Sequence, residues 1–249
     1  MPFDAMLEHK NVLVTGGSRG LGQAICFYFA QSGANVAFNY RNDDVAAKDT
    51  LEKITNLQRK GAAYQCSVSN ENDMNAMVKT IEKDFGLIDI LINNAGVSEP
   101  LPIALMDAAD WDKVMDVNSK GQFIAARAVL PGMIRRKSGV ILNIGSLAGI
   151  RLIEAPVHYA ASKAAAKGFT EALSKEVARY NIKVNCLAPG LLNEGVGQRL
   201  PEYRLKDYVN HVSLGRVGEL EEVAKVAAFM VSDKNSYMNG ETLLMDGGL

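Results

Sequence analysis

The first forty residues contain a strand, a glycine-rich turn, a helix and a second strand. Residues 11–15 form a short apolar run rich in β-branched side chains, which predicts a buried strand. Helical periodicity follows over residues 23–31, Ser32-Gly33 ends that helix, and residues 35–40 form a second apolar run. Two strands joined through a helix pair in parallel. The chain therefore begins as an α/β fold with a parallel sheet.

The same alternation of strands and helices continues to the end of the chain. Further strands are predicted at 62–68, 88–92, 139–144, 182–188 and 241–245. Further helices are predicted at 44–60, 70–85, 107–136 (interrupted near 118–121), 157–180 and 220–232. Seven strands alternating with helices predict a doubly wound parallel sheet with helices on both faces, a Rossmann fold, in one domain over residues 1–249.

Composition excludes several classes of function. The net charge of −1 gives no sign of nucleic-acid binding, and no uncharged apolar run of membrane-spanning length is present. The N-terminus lacks the apolar core of a secretory signal. Cys26, Cys66 and Cys186 are odd in number, far apart and set in apolar stretches, which favours free thiols over a metal site. We expect a cytoplasmic protein with no metal, no nucleic-acid partner and no membrane partner.

The turn after the first strand has the pattern G-x-x-x-G-x-G, formed by Gly16, Gly20 and Gly22. Glycines allow the backbone to approach a pyrophosphate, and the N-terminus of the next helix offers N–H groups and the positive end of its dipole. The turn, with its intervening residues Ser18, Arg19 and Leu21, therefore predicts a dinucleotide-binding site. The alternative is an ordinary strand-to-helix turn, which three glycines at this position make a weaker explanation.

A second motif lies in the predicted helix 157–180. Tyr159 and Lys163 are four residues apart, so their side chains project from one helix face. A positive charge beside a phenol favours the phenolate, which makes Tyr159 a candidate proton donor. A surface helix with an unrelated Tyr and Lys would show the same spacing, so the pair gains its meaning from the residues around it.

Together these residues make the chain resemble the short-chain dehydrogenase/reductase family. The resemblance covers essentially the whole chain, and within the family it is greatest to 3-oxoacyl-[acyl-carrier-protein] reductases. The matching motifs, in order, are Thr15-Gly16-x-x-x-Gly20-x-Gly22, Asn93-Asn94-Ala95-Gly96, Asn118, Ser146, Tyr159-x-x-x-Lys163, Pro189-Gly190, Tyr237–Thr242 and Asp246-Gly247-Gly248.

The resemblance implies a catalytic tetrad. Tyr159 would protonate the substrate carbonyl as hydride arrives, and Lys163 would favour ionisation of Tyr159 and hydrogen-bond the nicotinamide ribose. Ser146 would hydrogen-bond the substrate oxygen, and Asn118 would hold a water that relays protons to Lys163. In isolation, Ser146 is equally explained as a turn cap and Asn118 as a helix break.

The cofactor is predicted to be NADPH. The second strand ends in Asn39-Tyr40-Arg41-Asn42, with no acid at its end for a ribose 2′-hydroxyl. Arg41 and Arg19 are available for a 2′-phosphate, whereas Asp43 and Asp44 just beyond favour the opposite preference. The full predicted set of cofactor contacts is Gly16, Ser18, Arg19, Gly20, Leu21, Gly22, Tyr40, Arg41, Ser67, Val68, Asn94, Ala95, Gly96, Tyr159, Lys163, Pro189, Gly190 and Leu192.

Two positions depart from the family pattern. Ser67-Val68 stands where relatives often have Asp-Val or Asn-Val for the adenine. Glu194 stands where relatives usually have a Thr that contacts the nicotinamide amide. The carry-over of cofactor contacts is therefore weaker in these two loops than in the tetrad.

The implied function is reduction of a 3-oxoacyl thioester, with specificity set by residues 98–106, 147–157 and 193–214. The last of these segments mixes apolar, aromatic and basic side chains, and it is either a lid over an acyl chain or a helix that only packs. Arg135-Arg136-Lys137 would either receive an acidic carrier protein or simply suit a helix C-terminus. The alternatives are a reductase of another ketone or alcohol, such as a sugar, cyclic ketone or polyketide intermediate, and a regulator that binds nucleotide without catalysis.

The family resemblance also implies a homotetramer, built from the helices at 107–136 and 157–180 and from the C-terminal strand. Both helices carry small residues and apolar side chains beyond one narrow stripe, among them Phe123, Ile124, Phe169 and Leu173. A second buried face on a helix implies a partner. The alternative is a monomer whose loops cover both helices.

Overall fold

In the computed structural model, residues 5–151, 153–195 and 201–249 are described, and they contain one seven-stranded parallel sheet. Its order is β3-β2-β1-β4-β5-β6-β7, and every neighbouring pair is parallel. The predicted doubly wound fold is therefore confirmed. The strands are β1 (Asn11–Val14), β2 (Asn35–Tyr40), β3 (Gly61–Gln65), β4 (Ile90–Asn93), β5 (Gly139–Ile144), β6 (Ile182–Pro189) and β7 (Thr242–Met245).

Helices cover both faces of the sheet, and each face has its own apolar core. The helices are α1 (Gly20–Gln31), α2 (Asp44–Asn56), α3 (Glu71–Phe85), α4 (Ala108–Met115), α5 (Gly121–Arg136), α6 (Val157–Val177), α7 (Glu202–His211) and α8 (Leu220–Val231). Val12 and Val14 of β1 face the core shared with α1 and α8, and Leu13 faces the core shared with α3 and α5. This alternation follows from the two-residue period of a strand.

The observed elements correct three predicted boundaries. Helix α2 ends at Asn56 rather than Lys60, because Gln58 takes a left-handed φ of 58° and Gly61 already belongs to β3. Strand β3 ends at Gln65 rather than Val68, since its partner β2 ends at Tyr40, the residue paired with Gln65. Helix α1 begins at Gly20, inside the glycine turn.

The predicted interruption of the long helix is confirmed. A π-helical turn, Asp116–Lys120, separates α4 from α5. Such turns are rare and shift the hydrogen-bond register by one residue. This turn carries Asn118 and buries its side chain completely.

The strand order reverses at β1 and β4, which are neighbours although they are distant in sequence. Beyond the carboxyl ends of strands at such a switch point, a doubly wound sheet has a crevice that can bind ligands.

The described helices are all too short or too polar to cross a membrane.

Candidate active site

The glycine turn joins the carboxyl end of β1 to the start of α1. Gly16 and Gly20 have left-handed φ values of 66° and 54°, which glycine adopts without strain. A Cβ atom on Gly22 would lie 2.1 Å from the carbonyl oxygen of Gly16. Arg19 precedes α1 in extended conformation without capping it, and the first turn holds no acid. The first N–H groups of α1 are thus free of a side-chain cap and suited to an anion such as a pyrophosphate.

Hydrogen bonds from two neighbouring strands hold this turn. The backbone N–H of Gly16 donates to Oδ1 of Asn39 on β2 at 3.0 Å. Nδ2 of Asn94, after β4, donates to the carbonyl oxygens of Thr15 and Gly16 at 3.0 and 3.1 Å. Thr15 Oγ1 in turn accepts from the N–H groups of Asn94 and Ala95, both at 3.0 Å. The turn and the loop after β4 therefore form one rigid unit at the switch point.

The end of β2 presents a cation rather than an acid. Arg41 is exposed, and its carbonyl oxygen accepts from Gln65 Nε2. Of the two acids that follow, Asp43 caps α2 by accepting from the N–H of Ala46. Burial, together with the nearby Asp44 carboxylate, raises the pKa of Tyr40.

The loop after β3 carries the two residues predicted beside the adenine. Val68 is buried, and Ser67 Oγ lies 2.9 Å from Ser69 Oγ. The Ser67 hydroxyl also accepts from the N–H of Ser69 at 3.4 Å. The Ser67 hydroxyl is therefore already hydrogen-bonded within its own loop.

Tyr159 and Lys163 lie one turn apart near the start of α6. Lys163 is almost fully buried, and its Nζ donates to the carbonyl oxygen of Ile144 at the end of β5, at 2.8 Å. The same Nζ lies 5.7 Å from the centre of the Tyr159 ring. An ammonium has three N–H donors. Among the described residues, one of them is used by Ile144, which leaves two for a ligand or a water.

Asn118 is fixed by three hydrogen bonds. Its Oδ1 accepts from the N–H of Val97 at 2.8 Å, and its Nδ2 donates to the carbonyl oxygen of Val97 at 2.9 Å. Nδ2 also donates to Ser162 Oγ at 3.0 Å. A Cβ atom on Gly96 would lie 3.4 Å from Asn118 Oδ1 and 3.7 Å from Lys163 Nζ. The space beside Gly96 therefore borders both the amide and the ammonium.

Ser146 follows β5 and begins a short 3-10 turn, Leu147–Gly149. Its Oγ accepts from the N–H of Ala148 at 3.2 Å, as the turn-cap alternative predicts. The hydroxyl proton remains available, because accepting a bond uses only an oxygen lone pair. Gly149 packs directly on α6, since a Cβ there would lie 2.4 Å from the carbonyl carbon of Lys163. This contact brings the Ser146 turn against the helix of Tyr159.

The loop after β6 is tied to the C-terminal part of the chain. The N–H of Gly190 donates to the carbonyl oxygen of Met245, and the N–H of Leu191 donates to the hydroxyl of Tyr208 on α7 at 3.0 Å. Leu192 forms a β-bridge with Gly218 and packs on the apolar core. Pro189 is the last residue of β6, and Glu194 is exposed.

The three predicted specificity segments border this edge of the sheet. Ile103 and Leu105, in the first segment, are 70% and 73% exposed. Residues 202–211 of the third segment form α7, and Arg204 there bonds Glu154 of the second segment at 2.7 Å. Within these segments, position 152 and residues 196–200, which include Val196, Arg199 and Leu200, lie outside the described residues.

The basic run at the end of α5 belongs to the fold more than to a docking surface. Arg136 pairs with Asp89 at 3.2 Å and donates to the carbonyl oxygens of Ile88 and Ser138. Lys137 ends the helix with a left-handed φ of 53°. These contacts favour the helix-terminus interpretation of the run.

Sequence patterns did not single out several residues that hold the site together. Asn39 fixes the glycine turn, His158 and Ser162 bond the main chain of Tyr159, and Tyr208 bonds Leu191. The sequence signal for such residues is a polar side chain at a position that the strand or helix pattern predicts to be buried, such as Asn39 within an apolar strand. That signal marks a residue as partnered without naming the partner.

Comparison with known proteins agrees with this geometry. The family model described as enoyl-(acyl carrier protein) reductase matches residues 16–249. The chain is 39% identical to the 3-oxoacyl-[acyl-carrier-protein] reductase FabG of Chlamydia trachomatis, over 99% of this chain and 100% of the relative. It is 37% identical to the enzyme of the same name from Thermotoga maritima, over 98% of each chain.

Two solved structures have the same fold. A 3-oxoacyl-[acyl-carrier protein] reductase from Brucella melitensis superposes with a TM-score of 0.90 at 32% identity, covering 98% of this chain and 92% of that one. A xylitol dehydrogenase solved with NAD+ bound superposes with a TM-score of 0.92 at 28% identity, covering 97% of this chain and 99% of that one.

Proposed function

Because this chain belongs to the short-chain dehydrogenase/reductase family, we propose that it is an NADPH-dependent 3-oxoacyl-[acyl-carrier-protein] reductase. The observation that carries the proposal is the meeting of Lys163, Tyr159, Asn118 and the Ser146 turn at the carboxyl edge of β4 and β5, beside the uncapped start of α1. Relatives of that activity match the chain from end to end.

Each member of the tetrad has a role that its contacts permit. Tyr159 donates its phenolic proton to the substrate oxygen, which becomes an alcohol. Ser146 donates a hydrogen bond from its hydroxyl to the same oxygen as negative charge develops there, and it keeps its proton. Lys163 holds positive charge beneath the phenol and thereby stabilises Tyr159 after the proton has left.

Asn118 contributes through position. Its amide bonds Val97 on one side and Ser162 on the other, and its oxygen borders the space beside Gly96 that Lys163 also borders. In this proposal a water in that space, held by Asn118 Oδ1, returns a proton from bulk solvent to Lys163 after Lys163 has passed one toward the Tyr159 phenolate.

NADPH fits the residues that would hold it, and when bound it supplies the hydride. The uncapped N–H groups of α1, with glycine at positions 16, 20 and 22, would hold the pyrophosphate. Exposed Arg41, together with Arg19 of the glycine turn, would bind a 2′-phosphate. Asp43 does not oppose this preference, because its carboxylate caps α2.

The edge of the site suits an acyl chain better than a polyol. Ile103 and Leu105 in the segment after β4, and Tyr203 and Leu214 in the segment after β6, are large, apolar or aromatic, and mostly exposed. Such side chains favour contact with an aliphatic substrate. Xylitol, the substrate class named for one structural neighbour, offers hydroxyl groups instead.

We also propose that the protein is a cytoplasmic homotetramer. Phe123 on α5 is 47% exposed, and Trp111, Phe229 and Tyr237 are also exposed in the single chain. Exposed aromatic side chains on helix faces and near the last strand are typical of contact surfaces between copies. The free thiols Cys26, Cys66 and Cys186 suit a reducing compartment.

The test is a comparison of the unmodified chain with Tyr159→Phe. We expect the unmodified chain to oxidise NADPH in the presence of 3-oxoacyl thioesters and much more slowly with xylulose or simple cyclic ketones. Tyr159→Phe should lower kcat by about 10²–10⁴-fold, because the only proposed proton donor is lost. Its affinity for NADPH and its melting temperature should stay close to those of the unmodified chain.

Tyr180→Phe is the matched control, since Tyr180 follows α6 in a 3-10 turn at the opposite end of that helix. It should leave kcat unchanged. Comparable activity of Tyr159→Phe and the unmodified chain would contradict the assigned chemistry, and preference for a polyol substrate would contradict the assigned substrate.

A further inference from the structure

The main chain of Tyr159 is bound on both sides by side chains. Its N–H donates to Nδ1 of His158 at 2.8 Å, and its carbonyl oxygen accepts from Oγ of Ser162 at 2.8 Å. His158 and Ser162 are both fully buried. Since water does not reach either side chain, it cannot replace either of them as a partner, and the placement of the Tyr159 backbone depends on these two contacts.

The bond to His158 compensates for the way α6 begins. The residue before the helix is Pro156, which has no side-chain group to cap it, and the first turn contains no acid. The first hydrogen bond along the helix runs from the N–H of Ala160 to the carbonyl oxygen of Pro156. The N–H of Tyr159 lies before that bond and needs an acceptor from outside the helix ladder. The imidazole of the preceding residue supplies it.

This bond determines which ring nitrogen carries the proton. Nδ1 accepts from the main chain, so the neutral ring carries its hydrogen on Nε2. Nε2 is buried and has no hydrogen-bond partner among the described residues. Among the described residues, the hydrogen-bond partner of the His158 ring is therefore Tyr159. Any role of the imidazole beyond packing acts through Tyr159.

The second anchor connects Tyr159 to the loop after β4. Ser162 Oγ, which donates to Tyr159, accepts from Asn118 Nδ2 at 3.0 Å. Asn118 Oδ1 accepts in turn from the N–H of Val97 at 2.8 Å. Tyr159 is thus held from one side by a chain of buried hydrogen bonds across two elements, and from the other by His158 alone.

We propose that His158 is a positioning residue for the proton donor: its Nδ1 holds the N–H of Tyr159 and thereby fixes the phenol in place for proton transfer. The proposal rests on the proposed function for the role of Tyr159, and on the structure for the contact. His158 is completely buried, so it acts through Tyr159 and touches neither substrate nor cofactor. A small displacement of a reacting group has a large effect on rate.

Three substitutions separate this role from simple packing. His158→Asn keeps an acceptor oxygen close to the position of Nδ1. His158→Gln places its amide near the position of Nε2, out of reach of the Tyr159 N–H, and His158→Leu removes both polar atoms. We expect Leu and Gln to lower kcat about tenfold. Asn should restore most of that loss, and NADPH affinity should stay within twofold in all three variants.

The matched control is Thr170→Val in the same helix. Thr170 is fully buried, and its Oγ1 donates to the carbonyl oxygen of Ala166 and accepts from Asn143 Nδ2. Its replacement removes buried hydrogen bonds from α6 without touching Tyr159. It should lower the melting temperature while leaving kcat unchanged. A kcat loss in Thr170→Val equal to that in His158→Leu would assign the effect to general loosening of the helix and overturn the proposal.

Hydrogen exchange of peptides spanning residues 157–163 tests the contact independently of any substrate. Exchange should be faster in His158→Gln and His158→Leu than in the unmodified chain, and His158→Asn should restore protection. Equal exchange in all four proteins, or equal kcat in Asn and Gln, would overturn the proposal. If the unmodified chain reduces no carbonyl compound, the proposed function fails, whereas the exchange pattern still decides whether His158 holds Tyr159. Should His158→Leu not fold, the comparison of Asn with Gln carries the test.

Discussion

Gly22→Ala is expected to weaken NADPH binding while leaving the rest of the fold in place. A Cβ atom there would lie 2.1 Å from the carbonyl oxygen of Gly16 and 2.6 Å from Nδ2 of Asn94. Non-bonded heavy atoms pack at about 3.5 Å, so these groups must separate by more than about 1 Å. Neither is the loose end of a flexible side chain, because Asn94 Nδ2 itself bonds the carbonyl oxygens of Thr15 and Gly16. The start of α1 must therefore move away from the turn.

The size of the effect follows from what that movement breaks. Overpacking of this kind costs about 1–3 kcal/mol of folding free energy. For a chain of this length each kcal/mol lowers the melting temperature by about 2–4 °C. A hydrogen bond between a backbone N–H and a charged phosphate contributes about 1.5–3 kcal/mol, so losing one weakens NADPH binding by roughly 10- to 100-fold.

Gly132→Ala is the matched control, since it makes the same change within another helix. A Cβ atom on Gly132 would lie 2.4 Å from Oε1 of Glu82, and its next contact would be Leu87 Cδ2 at 3.4 Å. The Glu82 carboxylate is the far end of a flexible side chain and can turn aside. Alanine is favoured over glycine inside a helix by about 0.5–1 kcal/mol. We expect unchanged NADPH affinity and a melting temperature at or slightly above that of the unmodified chain.

The assay is titration of each variant with NADPH, followed by nucleotide fluorescence, together with thermal unfolding in the absence of nucleotide. NADPH affinity of Gly22→Ala within twofold of the unmodified chain would refute the assignment of the turn as the pyrophosphate site. Equal losses of affinity in Gly22→Ala and Gly132→Ala would also refute it, because the loss would then come from general destabilisation.

Three further outcomes are expected. Arg41→Ala should reduce the preference for NADPH over NADH by about tenfold or more, since one charge-assisted contact to the 2′-phosphate is lost; equal affinity of the unmodified chain for both cofactors would contradict this. Glu222→Gln should be less stable than the unmodified chain near neutral pH, and this stability difference should disappear as pH falls from 4.5 toward 2, because the Arg216 guanidinium lowers the pKa of the Glu222 carboxyl to about 2. Since the pair is partly exposed, the stability difference, measured from acid unfolding curves, should be smaller than the pKa shift alone implies. Light scattering should give about four times the 26.9 kDa chain mass, and Phe123→Asp should reduce it; a mass of one chain for the unmodified protein would contradict the tetramer.

The sequence predicts where the seven strands lie along the chain because each is a short apolar run bounded by glycine, proline or asparagine, and the helices between them predict that they run parallel. It does not predict the ends of β3, because those depend on a partner. Gln65 is the last residue of β3 because Tyr40, to which it pairs, is the last residue of β2. Gly61, which directly follows the predicted helix 44–60, is the first residue of that strand.

Residues with proposed chemical roles are easier to identify from the sequence than the residues that hold them. Tyr159 and Lys163 form a pattern within one helical turn, and Gly16, Gly20 and Gly22 form one within a single loop. Asn39, by contrast, bonds the N–H of Gly16 and the carbonyl oxygen of Cys66, which lie 23 and 27 residues away. Contacts over such separations have no fixed spacing, so they emerge only once the strands are placed side by side.

The end of β5 shows how the exact length of a strand positions the chemistry. The ladder between β5 and β6 runs to the pair of Ile144 with Leu187, and the N–H of Gly145 still donates to the carbonyl oxygen of Leu187. The carbonyl oxygen of Ile144 accepts from the ammonium of Lys163, a group that burial would otherwise destabilise. Ser146 follows two residues later, where the chain turns onto α6. A one-residue shift in the register of β5 would exchange the faces of Ile144 and Gly145 and separate the ammonium from its acceptor. The geometry of the proposed tetrad therefore depends on a strand position that periodicity alone does not fix.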